Sequence, residues 1–216
     1  MRADAQKSRR LLLDAACALL IEVGPGVSLQ AIARRAGVGI ATLYRHFPRR
    51  AALLTAVAVD VMARTYAEAT AAPAEESDAF AALRRYMHRA LDLCAPAVMP
   101  LLDDETRRAP EVRALLDATA AAQSELIAAA QRQGSLRAGV DFADIGLVLA
   151  RFSRPIGHGF DPRFEAGVAH RHLDVFIDGL RDRGDPPLAG SGLTLGSLRS
   201  MQKRAARRAR PEPRFG

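Results

Sequence analysis

Apolar residues along this chain recur at the i, i+3, i+4 spacing of helix faces and seldom at period two, so the elements predicted are helices. Leu12, Ala15, Ala16, Leu19, Leu20 and Val23 make the stripe of a first helix over about residues 8–23. Gly24-Pro25-Gly26 closes it, because proline cannot continue a helix and glycine supplies the turn. The residues before it are polar and read as a short flexible arm, with Lys7, Arg9 and Arg10 at or near the helix start.

The stretch Ser28–Phe47 reads as two short helices around a tight turn. Ser28 is placed to cap the first, its hydroxyl accepting an N–H that the helix start leaves unpaired. Leu29, Ile32 and Ala33 share one face, and Gly37 follows the last helical position, where positive φ is often needed. Val38 plugs the angle. A second helix runs from about Gly39 to His46, with Leu43 and Phe47 toward the core and Ile40, Ala41, Thr42, Tyr44 and Arg45 outward. Two helices joined by a Gly-containing turn describe a helix-turn-helix, whose second helix enters the DNA major groove. The plain alternative is an ordinary helical hairpin.

Pro48 breaks the chain, and Arg49 and Arg50 fall in the first turn of the next helix, opposing its dipole. Phosphate binding would supply a reason; two solvated arginines are the alternative. That helix, with Leu53, Leu54, Val57, Val61 and Met62 inward, runs to about residue 71, and Pro73–Asp78 form a linker and cap. Further helices are expected over about 78–95, 101–108, 110–133, 142–156 and 163–182, with a two-proline break at 95–100 and Asp141 as a cap. The helix over 142–156 is apolar nearly all round in its first three turns and needs covering on more than one side. Together with the last helix it reads as half of a subunit interface, or else as the chain's own core. From Asp185 on, Gly, Pro, Ser and Arg dominate. A weak amphipathic pattern of Leu195, Leu198, Met201 and Ala205 leads into the arginine run 203–210, a solvated tail that adds non-specific DNA affinity.

Composition agrees with an all-α protein: 216 residues, 49% hydrophobic, 5% aromatic and no tryptophan. Net charge is +7, unevenly placed. Residues 1–50 carry nine Lys/Arg against three Asp/Glu, residues 51–182 fourteen against nineteen, and residues 183–216 eight against two. A basic head and tail on an acidic body suit a DNA-binding end on a separate domain, and disfavour a uniformly basic packaging protein. Two cysteines, Cys17 and Cys94, make no disulfide framework and read as buried reduced thiols. Neither a signal peptide nor an apolar run long enough for a membrane span is present, so a cytoplasmic protein is expected.

Gly37-Val-Gly-Ile-Ala-Thr-Leu-Tyr-Arg-His-Phe47, followed by Pro48 and Leu53-Leu54, resembles the core signature of TetR-family transcriptional regulators. The likeness is strong over about residues 8–60 and extends to the body only in layout. With the pattern and charge blocks above, it gives a three-helix DNA-binding domain over residues 1–50 and a helical ligand-binding and dimerisation domain over 51–184, ahead of the basic tail over 185–216 that composition marks. It implies also a homodimer that represses transcription and leaves DNA when a small molecule binds. By the same resemblance Ser28 touches phosphate, and Thr42, Tyr44 and His46 contact the DNA backbone or pack over it. Ile40, Ala41 and Arg45 lie where base readout varies, and Arg50 grips phosphate. Gly39 stands where serine usually caps the recognition helix, and Ala41 where glycine is common; both bear on sequence preference.

No nucleophile motif, phosphate loop or paired-cysteine metal motif points to an enzyme, a cofactor or a metal. His170 and His172 diverge around a helix, His88 and Cys94 are poorly spaced, and His158 sits between glycines. A non-specific nucleoid-type DNA binder is the main alternative function. The effector pocket is expected among the fourth to eighth helices, with Phe80, Met87, Leu91, Met99, Leu116 and Phe152 as apolar lining or plain core. The partners expected are therefore palindromic double-stranded DNA, a second copy of the chain and an unknown apolar effector.

Overall fold

A computed structural model describes residues 2–156, 159–184, 186, 188–190, 192, 194, 196–198, 200, 201 and 204. Helices dominate: α1 (Arg2–Val23), α2 (Leu29–Arg35), α3 (Ile40–His46), α4 (Arg50–Glu75), α5 (Ala79–Asp92), α6 (Ala95–Val98), α7 (Asp104–Arg108), α8 (Pro110–Arg132), α9 (Phe142–Phe152) and α10 (Pro162–Leu180). One antiparallel bridge, Leu136 with Arg181, ties the α8–α9 connection to the end of α10. No strand occurs among the described residues, and no helix among them is long and apolar enough to cross a membrane. His158 and most of the basic run 203–210 lie outside the described residues.

Two hydrophobic cores organise these helices. The first gathers α1, α2 and α3 around Leu12, Leu20, Ile32, Leu43 and Phe47, and is closed by Leu53, Leu54, Val57, Ala58, Val61 and Met62 of α4. Ala95, Val98, Leu102 and Val112 complete it. The second packs Ala69 and Ala72 of α4 against Phe80, Leu83, Tyr86 and Met87 of α5, Leu126 and Ile127 of α8, Ile145 and Leu149 of α9, and Leu173 and Ile177 of α10. Arg181 lies over the Phe80 ring, 4.2 Å from its centroid, and seals that core from the end of α10.

Several element boundaries depart from the sequence pattern, each for a local reason. The expected arm is helix from Arg2 onward, because Ala3, Ala5, Gln6 and Lys7 are good helix formers uninterrupted by glycine or proline. Pro73 does not end α4, which continues to Glu75. It lies in the last turn of an alanine-rich run whose Ala69 and Ala72 are buried, and that packing outweighs the lost N–H. The two-proline stretch folds as the short α6 and a 3-10 turn over Met99–Leu101, each accepting its proline in the first turn. α5 stops at Asp92, and Cys94 follows it with φ 58°, the one non-glycine residue with positive φ among the described residues. α9 ends at Phe152, ahead of Arg154, whose helical conformation is disfavoured by Pro155. It is covered on one side only: Ala143, Ile145 and Leu149 are buried, while Leu147 faces outward.

The caps follow the sequence closely. Asp78, Asp103, Asp141 and Asp161 accept backbone N–H groups at the starts of α5, α7, α9 and α10, and Asp141 with Asp144 forms a full capping box. Cys17 and Cys94 are free thiols, and burial pushes Cys17 up to about 12, well clear of the reactive thiolate range.

Candidate nucleic-acid interface

The helix-turn-helix is assembled from local hydrogen bonds. Ser28 Oγ accepts the Ala31 N–H at 3.1 Å and so fixes the first turn of α2. At the other end Gly37 takes φ +67°, the Val38 N–H reaches back to the Ala33 carbonyl (3.0 Å) and the Gly37 N–H to that of Arg34 (3.1 Å). This Schellman turn requires the left-handed residue that glycine supplies without strain. Gly39 then begins α3 with its carbonyl, which accepts the N–H groups of Thr42 and Leu43. No side chain caps α3, and a Cβ added at Gly39 would meet open space. A serine would therefore fit there.

α3 is held from behind and open in front. Leu43 is fully buried and Phe47 is 3% exposed, both seated in the first core. Arg9 of α1 lies over the Phe47 ring, 5.5 Å from its centroid. On the opposite face Ile40, Ala41, Tyr44 and Arg45 are exposed, with Tyr44 at 49%, while Thr42 and His46 are half-buried. His46 Nε2 is shut off from solvent with no hydrogen-bond partner among the described residues. Arg45 forms no ion pair among the described residues. Ser28 and Gly39, at the starts of α2 and α3, are exposed as well.

The basic residues nearby divide into two groups. Arg10 joins Asp14 on its own helix and Asp60 of α4 (2.8 and 2.9 Å), so it braces α1 against α4. Arg35 pairs with Glu22 at 2.6 Å. Arg34 and Arg49 are exposed. Arg50 reaches the carbonyls of Val27 and Pro25, the latter at 2.5 Å, and so latches the start of α4 to the loop that delivers Ser28 to α2. Hydrogen bonds from a charged donor carry about 1.5–3 kcal/mol. Arg50→Met, which keeps the stem and removes the donors, is expected to lower unfolding free energy by about that amount, read in urea denaturation. An unchanged midpoint would mean the latch is not held in solution.

Residues 12–57 match the family model of bacterial regulatory proteins of the tetR family, and residues 78–182 that of the SbtR-like transcriptional regulator C-terminal domain. The TetR transcriptional regulator SCO0520 from Streptomyces coelicolor is 30% identical, with 81% of this chain and 99% of that chain covered at a TM-score of 0.58. A TetR regulator from Mycobacterium vanbaalenii is 36% identical over 83% and 98%, with a TM-score of 0.52. This chain belongs to the TetR family. It is a family of transcriptional regulators rather than of enzymes. The transcriptional repressor LfrR of Mycolicibacterium smegmatis is 34% identical over 112 residues, and that match spans 52% of this chain and 59% of the repressor's length. The solved structure of LfrR, in complex with proflavine, superposes with a TM-score of 0.59 at 25% identity, covering 85% and 98% of the two chains.

Within this TetR fold the six apolar positions expected to line an effector pocket fall in two places. Phe80, Met87 and Leu91 are buried in the second core, with half-buried Phe152 packed against it. Met99 and Leu116 lie against the first core instead. Surface clefts of about 240, 360 and 480 Å³ involve Arg64 and Glu68, Gln131 and Asp141, and Thr55 and Arg108, and none of the six. Polar groups inside the second core were missed by reading apolar periodicity alone. Tyr86 Oη donates to Gln123 Oε1 at 3.1 Å, both residues buried, and burial pushes the Tyr86 phenol upward. Thr119 Oγ1, one turn before Gln123, is buried without a partner among the described residues. The signal was in the sequence: Thr119 and Gln123 occupy i, i+4 positions in line with Val112 and Ile127 on α8.

Proposed function

We propose that this chain is a transcriptional repressor that binds an inverted-repeat operator as a homodimer and releases it when an apolar small molecule enters the helical body. The observation that carries this reading is the outer face of α3: exposed, small and basic, on a helix whose other side is locked by Leu43 and Phe47. In the major groove Ile40, Ala41 and Arg45 meet base edges, Ser28, Thr42 and Tyr44 meet the phosphate backbone, and His46, its Nε2 shut off from solvent, packs against it. Gly39 brings the start of α3 close to DNA. Arg50 adds phosphate contact with guanidinium N–H groups its latch leaves over, since a guanidinium has five donors. Residues 1–50 thus read DNA, residues 51–184 sense and dimerise, and the basic tail 185–216 adds sequence-independent affinity. A chromosomal operator places the protein in the cytoplasm.

Dimerisation is supported by the exposed apolar side chains of the last two helices and their approach. Leu147 of α9, Ile156 and Phe160 of the connection, and Phe164 and Val175 of α10 are all exposed. Phe160 and Phe164 stack with ring centroids 5.7 Å apart, and Val175 follows Phe164 by about three turns on one face of α10. Two recognition helices related by a two-fold axis reach half-sites about 34–36 Å apart. LfrR, crystallised with the flat aromatic dye proflavine, supports a planar aromatic effector. Phe80, Met87, Leu91 and Phe152 then form its apolar lining, with Met99 and Leu116 toward the first core, once α5 and α8 part.

Selection of bound sequences from a random duplex library at physiological salt tests this. One inverted repeat is expected. Recovery of no motif, with binding that collapses as salt rises, would replace the reading by a packaging protein. Arg45→Ala is expected to relax preference at one position in each half-site, by about 1–3 kcal/mol if Arg45 reads guanine. Repeating the selection with the variant checks it, and an unchanged motif would remove Arg45 from base readout.

A further inference from the structure

α5 and α10 meet through two histidines far apart in sequence. His88 Nδ1 lies 2.8 Å from His170 Nδ1. The rings are 12° from parallel with centroids 5.1 Å apart. That separation matches the N···N distance plus the two ring radii, so the rings lie nearly in one plane and the nitrogens meet head on. The outer nitrogens are held as well. His88 Nε2 is 3.1 Å from Asp174 Oδ1, and His170 Nε2 is 2.8 Å from Asp92 Oδ1. Arg84 Nη2 reaches the same Asp174 oxygen at 2.8 Å. An unbroken line results: Arg84, Asp174, His88, His170, Asp92.

Counting protons decides the state of this line. An ionised carboxylate only accepts, so each outer Nε2 must carry a proton. Two facing Nδ1 atoms make a hydrogen bond only when one of them, and not both, carries a proton. The three contacts therefore need three protons on two rings. Two neutral imidazoles hold two and leave one contact without a proton, whereas two imidazoliums hold four and set two N–H groups against each other.

We propose that His88 and His170 hold one shared excess proton, so that the α5–α10 junction is a proton-dependent clamp that weakens when the pair gains a second proton or loses its one. The charges in the hydrogen-bonded line itself suit a single positive charge. Asp92 and Asp174 supply two negative charges, and Arg84 with one imidazolium supplies two positive. Desolvation pushes the Asp174 carboxyl up, but hydrogen bonds from Arg84 and His88 and their charges outweigh it and hold it below the usual carboxylate range. Asp174 is then an ionised acceptor whenever the pair is singly charged. Arg89 of α5 lies between Asp92 (3.9 Å) and Glu68 of α4 (3.6 Å), and Arg64 of α4 shares their cleft. The α8 and α9 side chains packed in the core beneath, Leu126, Ile127, Ile145, Leu149 and Phe152, are apolar. His172 turns away, onto the Phe152 ring.

The clamp bears on function because α10 also carries exposed Phe164 and Val175, so the proton count sets how firmly that face is presented. Long-range proton–nitrogen spectra of the histidine-labelled full chain, from about pH 5 to 8, test it. The expected result is three N–H protons on the two rings over a middle range of pH, four below it and two above it. His88→Gln is the second measurement: its loss of stability against the parent should peak in that middle range and shrink on both sides. Independent single steps of equal midpoint, or a stability loss flat with pH, would overturn the clamp. So would Zn²⁺ at stoichiometric amounts moving both Nδ1 signals together, since the pair would then be a metal site.

Discussion

Phe47→Ala is expected to cost about 3–5 kcal/mol of unfolding free energy, a large share of the roughly 5–15 kcal/mol a domain commonly has. Phe47 is 3% exposed and sits where α3 ends and the chain turns toward α4, so its ring is the plug on which the recognition helix rests. The cavity left behind would have Leu12, Leu43 and Leu53 as neighbours in the same core, and helix packing relaxes into such voids only in part. The Arg9 guanidinium would lose the ring beneath it. Guanidinium denaturation followed by circular dichroism reads the stability change. Operator affinity measured at low temperature, where the variant is still folded, should fall as well, because α3 loses its fixed angle. A loss below about 1 kcal/mol would show that the pocket collapses around the smaller residue.

Val175→Glu addresses the proposed dimer and should have the largest effect on DNA binding. Val175 is 67% exposed, so a carboxylate there costs the isolated chain almost nothing. Buried between two copies the same carboxylate has no partner, and it enters twice because each protomer brings one. An unpaired buried charge costs about 3–5 kcal/mol, which converts to more than a hundredfold weaker association. Sedimentation across a concentration series should show a folded monomer with an unchanged melting transition at high dilution. Operator binding should drop in step with the dimer. If the variant remains dimeric, the apolar surface around Phe164 and Val175 is not the interface, and another face must join the copies.

The turns and caps of α2 and α3 were legible because their rules are local. Ser28, Gly37 and Gly39 act within a few positions of themselves, so a cap, a left-handed turn and a helix start can be read in order along the chain. The same holds for Asp78 and Asp141. What escaped was tertiary. Arg50 in the first turn of α4 looks unfavourable for the helix dipole, and only the fold shows the Pro25 and Val27 carbonyls it reaches. His88 and His170 were each weighed against neighbours on their own helix, whereas their partners lie across the α5–α10 junction. Phe80 and Leu116 share an apolar character but belong to different cores, which periodicity alone cannot tell. Proline usually stops a helix, yet the buried Ala69 and Ala72 that precede Pro73 anchor the last turns of α4, which runs on to Glu75.

α4 has a consequence for how such regulators diversify. Its 26 residues give the first core Leu53 through Met62 and the second core Ala69 and Ala72. The N-terminal unit is therefore not a cassette that ends with α3. Recombination near residue 50 would hand a foreign α4 surface to Leu12, Leu20 and Phe47, and the hybrid would have to repack its core before it read any sequence at all. A crossover after Met62 keeps the α1–α4 part of that core together and leaves only Ala95, Val98, Leu102 and Val112 to be matched. New pairings of operator and effector are then inherited most safely with the first half of α4 travelling alongside the helix-turn-helix.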